Sequence, residues 1–159
     1  MGKRSDFDRR KNDTYDTPAG AVFPLLRHLP PRSRFGAGHT CVGAFDIEPR
    51  RKDIALNDAR GIANVKADFF ITNPPWTRAI LHPIIANLAA QLPTWLLFDA
   101  DWMHTRQAAP YLPLLRKVVS VGRVKWIPDS PHTGKDNCCW YLFDANSDAA
   151  AEFVGRLAA

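Results

Sequence analysis

The residues best suited to do chemistry form a short turn, Asn73-Pro74-Pro75-Trp76, called here the Asn-Pro-Pro-Trp turn. It follows an apolar run at residues 69–71, whose β-branched and aromatic side chains predict a buried strand. The two prolines stop ladder hydrogen bonding and favour an extended conformation for the preceding asparagine. The turn therefore presents one amide, two proline carbonyls and one indole at the carboxyl end of a core strand. In open α/β sheets, ligands bind at that edge.

This stretch resembles the catalytic motif of S-adenosylmethionine-dependent DNA adenine methyltransferases, which reads Asp, Asn or Ser, then Pro-Pro and an aromatic residue. An adenine amino group is a poor nucleophile because its lone pair is delocalised into the ring. By the resemblance, Asn73 Oδ1 and the Pro74 carbonyl accept its two N–H bonds, Pro75 belongs to the same motif, and Trp76 stacks on a flipped-out base. Positioning then supplies much of the rate. A plain Pro-Pro turn that ends a strand is the alternative.

The resemblance also implies residues around the cofactor, with Asn73 among them. Tyr15 and Thr17 belong to a Tyr-x-Thr-Pro element that is similar to the N-terminal segment of phage and prophage members, where it borders the cofactor. Asp46, at the end of a predicted strand, matches a carboxylate that binds the ribose hydroxyls, which need an acceptor. Asp58 matches an aspartate that contacts the cofactor's adenine.

Each of these cofactor assignments has an alternative. Glu48 competes with Asp46 for the ribose, and acids also simply end strands. Thr17-Pro18 is a common helix start, because threonine caps a helix and proline suits its first turn.

On the substrate side, the resemblance implies Trp76, Arg78 and Lys135. Arg78 follows the turn almost directly. Lys135 lies in a region that looks like the C-terminal part of the phage family, together with residues 122–127, 136–137 and 140–141.

The order of predicted elements indicates the fold. Residues 81–92 have apolar side chains spaced for one helical face, and residues 94–98 form a second apolar strand that ends in acids and an aromatic residue, Asp99, Asp101 and Trp102. Residues 79–98 contain no charged residue, yet their prolines, asparagine and glutamine argue against a membrane span. Alternating buried strands and helices indicate a parallel sheet. Residues 105–115 and 148–157 are predicted to be helical.

We therefore expect an α/β, Rossmann-like class I methyltransferase fold. Its sheet is predicted to be mostly parallel with an antiparallel C-terminal strand, formed by a pair of strands at 118–127 and 138–143. The first strand-turn-helix unit is predicted to be truncated: Phe35 fits the first strand, and Gly36 and Gly38 run straight into the next one, without the family's glycine-rich turn and helix. A mobile polar arm (residues 1–13) precedes a single domain (residues 14–159).

Composition narrows the class of protein. The 159 residues carry a net charge of +5, which favours an anionic partner such as nucleic acid, although a solvated basic face is the alternative. Cys41, Cys138 and Cys139 form neither a disulfide framework nor a metal-binding spacing, and they fit a reducing cytoplasm. The first residues do not read as a signal peptide. We expect neither a metal nor a membrane, and the oligomeric state stays open.

The resemblance implies S-adenosylmethionine as cofactor, DNA as partner and the amino group of adenine as methyl acceptor. Methylation of RNA, or of a glutamine amide in a protein, is an alternative that uses a similar motif. A catalytically impaired remnant that only binds nucleic acid is another, because the glycine-rich turn is missing.

Overall fold

A computed structural model describes residues 15–30, 39–128 and 133–156 of the chain. Within these ranges the protein has α/β architecture, as predicted. Its helices and strands are, in chain order, α1 (Ala19–Leu26), β1 (Phe45–Asp46), β2 (Ala55–Leu56), β3 (Phe70–Thr72), α2 (Arg78–Ala89), β4 (Thr94–Asp99), β5 (Leu115–Arg123), β6 (Asn137–Phe143) and β7 (Glu152–Val154). The predicted arm at residues 1–13 and the glycine stretch at residues 35–38 lie outside the described residues.

Five strands form one mixed sheet in the order β3-β4-β6-β5-β7. The β3–β4 and β5–β7 pairs are parallel, whereas β6 pairs antiparallel with both β4 and β5. The prediction of a mostly parallel sheet is wrong, because β6 inserts between β4 and β5 and makes half of the neighbouring pairs antiparallel. The predicted antiparallel strand pair is confirmed as β5 and β6.

These pairings orient the sheet. Strands β3, β4, β5 and β7 run in one direction and therefore end at one edge, called here the carboxyl edge, where β6 begins. Strands β1 and β2 form a separate two-stranded parallel sheet.

The core lies on both faces of the five-stranded sheet, because successive side chains of a strand point to opposite faces. In β4, Leu96 and Phe98 pack with the apolar face of α2, while Trp95 and Leu97 pack on the side of α1. The Trp140 indole of β6 donates a 2.7 Å hydrogen bond to the Ala21 carbonyl and so anchors α1 to the sheet. The uncharged stretch is thus a helix followed by a buried strand, as predicted.

Two predicted helices are not formed. Residues 105–115 contain only short 3-10 turns, Arg106–Ala108 and Leu112–Leu114, around Pro110 and Pro113. The alanine-rich C-terminal region contains β7 rather than a helix: β7 pairs with β5, and Lys117 forms a 2.7 Å ion pair with Glu152. Sheet pairing outweighs the helix propensity of alanine, because propensity is a weak preference that tertiary contacts override.

The predicted strand before Asp46 is also shorter than expected, since only Phe45–Asp46 is a strand. Pro18 occupies the N-cap position of α1, so the capping role considered for Thr17 is not found. Within the described residues, no helix is long and apolar enough to cross a membrane.

Candidate active site

The Asn-Pro-Pro-Trp turn lies at the carboxyl edge, directly after β3. Asn73 is half-buried and Pro74 is buried. Within the described part of the chain, neither the Asn73 side-chain amide nor the Pro74 carbonyl makes a hydrogen bond. Buried polar groups nearly always have a partner, so two neighbouring acceptors are available to a ligand at this turn.

Trp76 belongs to a group of aromatic rings that the fold assembles from distant parts of the chain. Its ring meets Trp126, which follows β5, edge-on at 6.0 Å between centroids. Trp126 in turn lies 6.4 Å from Tyr15. The predicted residues Tyr15 and Trp76 are therefore brought together through Trp126. The sequence analysis placed Trp126 inside the strand predicted at residues 118–127 and named it only within residues 122–127, which look like the phage family; β5 instead ends at Arg123.

The loop before β6 closes on Trp126. Gly134 donates a 2.8 Å backbone hydrogen bond to the Val124 carbonyl. A Cβ at Gly134 would lie 2.9 Å from that oxygen and 3.2 Å from the Trp126 ring. Glycine is thus the residue that lets this loop approach the indole.

A cleft of about 470 Å³ opens beside Trp76, and its wall includes Arg78, Asp99, Trp102 and Asp136. Trp76 and Arg78 are the two predicted site residues that line it. The other predicted site residues are not in its wall: Asn73, Pro74 and Pro75 adjoin it through Trp76, whereas Tyr15, Thr17, Asp46, Asp58 and Lys135 lie elsewhere. Asp99 is the last residue of β4, and Asp136 directly precedes β6.

Asp99 is the most deeply placed acid of this cleft. Its Oδ1 accepts a 3.0 Å hydrogen bond from the Asp101 backbone N–H. Burial, with smaller contributions from the Asp101 and Asp136 charges, raises the pKa of the Asp99 carboxyl above its usual value, while the Asp101 hydrogen bond and, less strongly, the Arg78 charge oppose this shift. A signal for Asp99 existed in the sequence, namely acids and an aromatic residue at the end of a buried strand.

The inner wall of the cleft is held by a side-chain hydrogen bond. Trp102 Nε1 donates to His82 Nε2 over 3.0 Å, and the His82 ring lies 4.6 Å from the Tyr111 ring. Because Nε2 accepts, the imidazole is neutral with its proton on Nδ1. Burial lowers the pKa of His82, with a smaller effect from the Arg78 charge, and this favours the neutral form.

The two acids assigned to the cofactor already have partners. Both carboxylate oxygens of Asp58 accept hydrogen bonds from the Arg60 side chain, at 2.5–3.0 Å. These bonds lower the pKa of Asp58. Asp46 is exposed, and its Oδ1 accepts a 2.8 Å hydrogen bond from the Glu48 N–H. A ligand must therefore compete with Arg60 for Asp58, while Asp46 retains one oxygen.

The segment around Tyr15 and Thr17 connects the two regions. Asp16 forms a 2.7 Å ion pair with Arg50, which follows β1, while Tyr15 contacts Trp126. The segment therefore runs between the two-stranded sheet that carries Asp46 and the aromatic group beside the turn.

Lys135 sits in the loop before β6, next to Asp136 of the cleft wall. Its Nζ is buried and has no hydrogen-bond partner within the described residues. A buried ammonium without a partner is costly. The structure does not bring Lys135 to the cleft, so its substrate contact stays a prediction.

The described residues contain no group of three or more His, Cys, Asp or Glu side chains arranged to hold a metal ion. Comparison with protein-family models, curated proteins and solved structures finds no match to this chain. The functional interpretation therefore depends on the geometry of the site and on the resemblance of its motif.

Proposed function

We propose that this domain transfers a methyl group from S-adenosylmethionine to the exocyclic amino group of adenine in DNA. The observation that carries the proposal is the pair of free acceptors, Asn73 Oδ1 and the Pro74 carbonyl, on a rigid turn at the carboxyl edge beside Trp76 and its cleft.

Three residues of the turn and the nearby Arg78 have roles in this reaction. Asn73 Oδ1 and the Pro74 carbonyl accept the two amino N–H bonds, which favours a tetrahedral nitrogen with a more available lone pair. Trp76 stacks on the base, and its contact with Trp126 fixes the plane of its ring. Arg78, the exposed first residue of α2, places a cation at the cleft, where it can meet the phosphate of the target nucleotide.

The cofactor supplies an activated methyl group when it is bound, but the described residues fit it poorly. Asp58 is bound by Arg60, and Asp46 lies exposed on a strand of two residues. Neither lines the cleft beside Trp76. The described residues therefore supply the part of the site that binds the target base, whereas the part that binds the cofactor is incomplete.

This incompleteness favours a second candidate, a catalytically impaired domain that binds nucleic acid without methylating it. The specific observation is the Asp58–Arg60 pair, since a working adenine contact would need one of those carboxylate oxygens. The two candidates share the base-binding turn and differ in cofactor binding.

An acceptor assay tests the proposal. The purified chain is incubated with methyl-labelled S-adenosylmethionine and, separately, with an adenine-containing DNA duplex, an RNA of the same sequence and a protein that exposes glutamine amides. We expect label in DNA alone, recovered as N6-methyladenine. The matched control is the same duplex with its adenines methylated beforehand.

Label in RNA or in the protein would contradict DNA as the acceptor. Absence of label from all three, with duplex binding retained, would favour the impaired binding domain instead.

A further inference from the structure

Three exposed cations lie at or just after the ends of two neighbouring strands of the carboxyl edge. Arg123 is the last residue of β5, and Lys125 follows two residues later, with the buried Val124 between them. Arg156 follows the end of β7, the parallel neighbour of β5. Because parallel neighbours end at the same edge, the three residues lie at neighbouring strand ends.

Gly122 brings Arg156 close to β5. Its φ is +87°, a conformation that favours glycine, and the Arg156 guanidinium lies over it, with Nη1 3.0 Å from the position of a Cβ. Arg156 therefore stands directly beside the residue that precedes Arg123.

No acid of the described residues pairs with these cations. None of Arg123, Lys125 and Arg156 forms a salt bridge there, and the same holds for the exposed Arg27, Lys52 and Lys66. The residue paired with Arg123 across the sheet is the neutral Asn137. The nearest acid along β6, Asp136, lines the cleft. Like charges held together repel, so this cluster is suited to an anionic partner.

The cluster is continuous with the candidate active site. Lys125 is followed by Trp126, which contacts Trp76, and Trp76 shares the cleft wall with Arg78. A polyanion lying along this edge would reach from Arg156 to the cleft.

We propose that Arg123, Lys125 and Arg156 bind backbone phosphates of the DNA duplex that flanks the target adenine. The choice of duplex DNA rests on the proposed function. These contacts position the duplex on the domain and carry no sequence information, because cations that bind phosphates do not read bases.

The test measures the affinity of the full chain for an adenine-containing duplex over a range of salt concentrations, without cofactor. The variant is R123Q/K125Q/R156Q. Its matched control, R27Q/K52Q/K66Q, removes the same charge from three exposed cations outside this cluster. Each phosphate contact adds about one unit to the slope of log K against log salt. We therefore expect the slope of the R123Q/K125Q/R156Q variant to fall by about three units and the slope of the control to stay about the same.

Equal slopes for the two variants, or no duplex binding by the unmodified chain, would overturn the proposal. Thermal unfolding of each variant checks folding, and the single substitutions R123Q and K125Q should each lose about one unit of slope. The failure of methyl transfer would leave this result unchanged, since the binding assay contains no cofactor. Conversely, if the chain methylates DNA but the R123Q/K125Q/R156Q variant keeps the salt slope of the unmodified chain, the proposed phosphate contacts would be rejected and the proposed function would stand.

Discussion

The proposed chemistry depends on Asn73, because its amide oxygen can accept a hydrogen bond and adds no charge to the proposed base site. The adjoining Pro74 carbonyl cannot be replaced by side-chain substitution. Trp76 and Asp99, in contrast, can each be altered without removing an acceptor from the turn, and they give two predictions at the scale of single residues.

Replacement of Trp76 separates stacking from core packing. Trp76→Ala should weaken binding of a duplex with an unpaired adenine by roughly 1–3 kcal/mol, the usual effect of removing a stacking platform. Trp76→Phe should retain most of the affinity, because it keeps a π-face. Fluorescence anisotropy measures the affinities, and Trp126→Phe is the control for loss of the ring contact. An unaltered affinity for Trp76→Ala would show that the indole only packs against the core.

Asp99→Asn should stabilise the fold near pH 7. Folding raises the pKa of Asp99, chiefly by burial, so the folded state binds more protons than the unfolded state. The free energy of unfolding therefore falls as the pH rises from the unfolded pKa of about 3.9 through the higher folded pKa. Asparagine removes this loss and can still accept the Asp101 hydrogen bond. Thermal unfolding at pH 7 should show a higher Tm than wild type, and the difference should disappear near pH 3.

The exposed Asp148→Asn variant is the matched control for Asp99→Asn. A Tm for Asp99→Asn that falls below wild type at pH 7 would mean that the charged carboxylate stabilises the cleft.

At the scale of secondary structure elements, α1 depends on one buried hydrogen bond to the sheet. Trp140→Phe removes the indole donor to the Ala21 carbonyl and should lower the free energy of unfolding by about 0.5–1.5 kcal/mol, the net contribution of one hydrogen bond, because this carbonyl lies inside α1 and keeps its helical donor. Urea unfolding measures this change in the free energy of unfolding. Trp95→Phe is the control, since Trp95 is as buried as Trp140 (both 2% exposed) and its indole has no hydrogen bond within the described residues. Equal losses would show that ring volume, rather than the hydrogen bond, holds α1.

The sequence predicted those elements whose pattern is local. Helix α2 and strand β4 follow from apolar spacing and from a continuous apolar run, and the antiparallel pair β5–β6 follows from two apolar runs around a polar loop. Strand β7 was predicted as a helix, because its pairing with β5 and the Lys117–Glu152 ion pair are contacts between distant residues. The position of β6 between β4 and β5, which makes the sheet mixed, leaves no local signal either.

The candidate site divides in the same way. The Asn-Pro-Pro-Trp turn was predicted from residue types alone, and in the structure it lies at the carboxyl edge. The cleft beside it, with Asp99, Trp102 and Asp136, is assembled from three elements and was not predicted as one site. The Arg60 bonds to Asp58 were also unforeseen, although the two residues are only two positions apart.

At the scale of the whole molecule, the described residues form the proposed base-binding side better than the proposed cofactor side. The first consists of a rigid turn, a cleft and a cluster of cations at one edge of a five-stranded sheet. The second has one acid bound by arginine and another exposed on a two-residue strand.

We predict weak or undetectable binding of S-adenosylmethionine by the unmodified chain in isothermal titration calorimetry. Arg60→Gln should free the Asp58 carboxylate and increase any affinity, and Arg51→Gln, which releases the exposed Asp53, is the matched control. Insertion of a glycine-rich turn and a helix between Phe35 and Gly38 should raise the affinity further. Tight binding by the unmodified chain would contradict this prediction and assign the role of the turn to Gly36 and Gly38.

Formation of N6-methyladenine by the unmodified chain and by Asn73→Ala tests the central claim most directly. Both proteins are incubated with an adenine-containing duplex at a high concentration of S-adenosylmethionine, and the digested DNA is analysed by mass spectrometry. We predict slow formation of N6-methyladenine by the unmodified chain. For Asn73→Ala we predict a rate about 10²–10³-fold lower, which corresponds to an activation barrier raised by about 2.7–4 kcal/mol, as expected for loss of one preorganised polar group. Equal rates for the two proteins, or no N6-methyladenine from the unmodified chain at saturating cofactor, would contradict the claim.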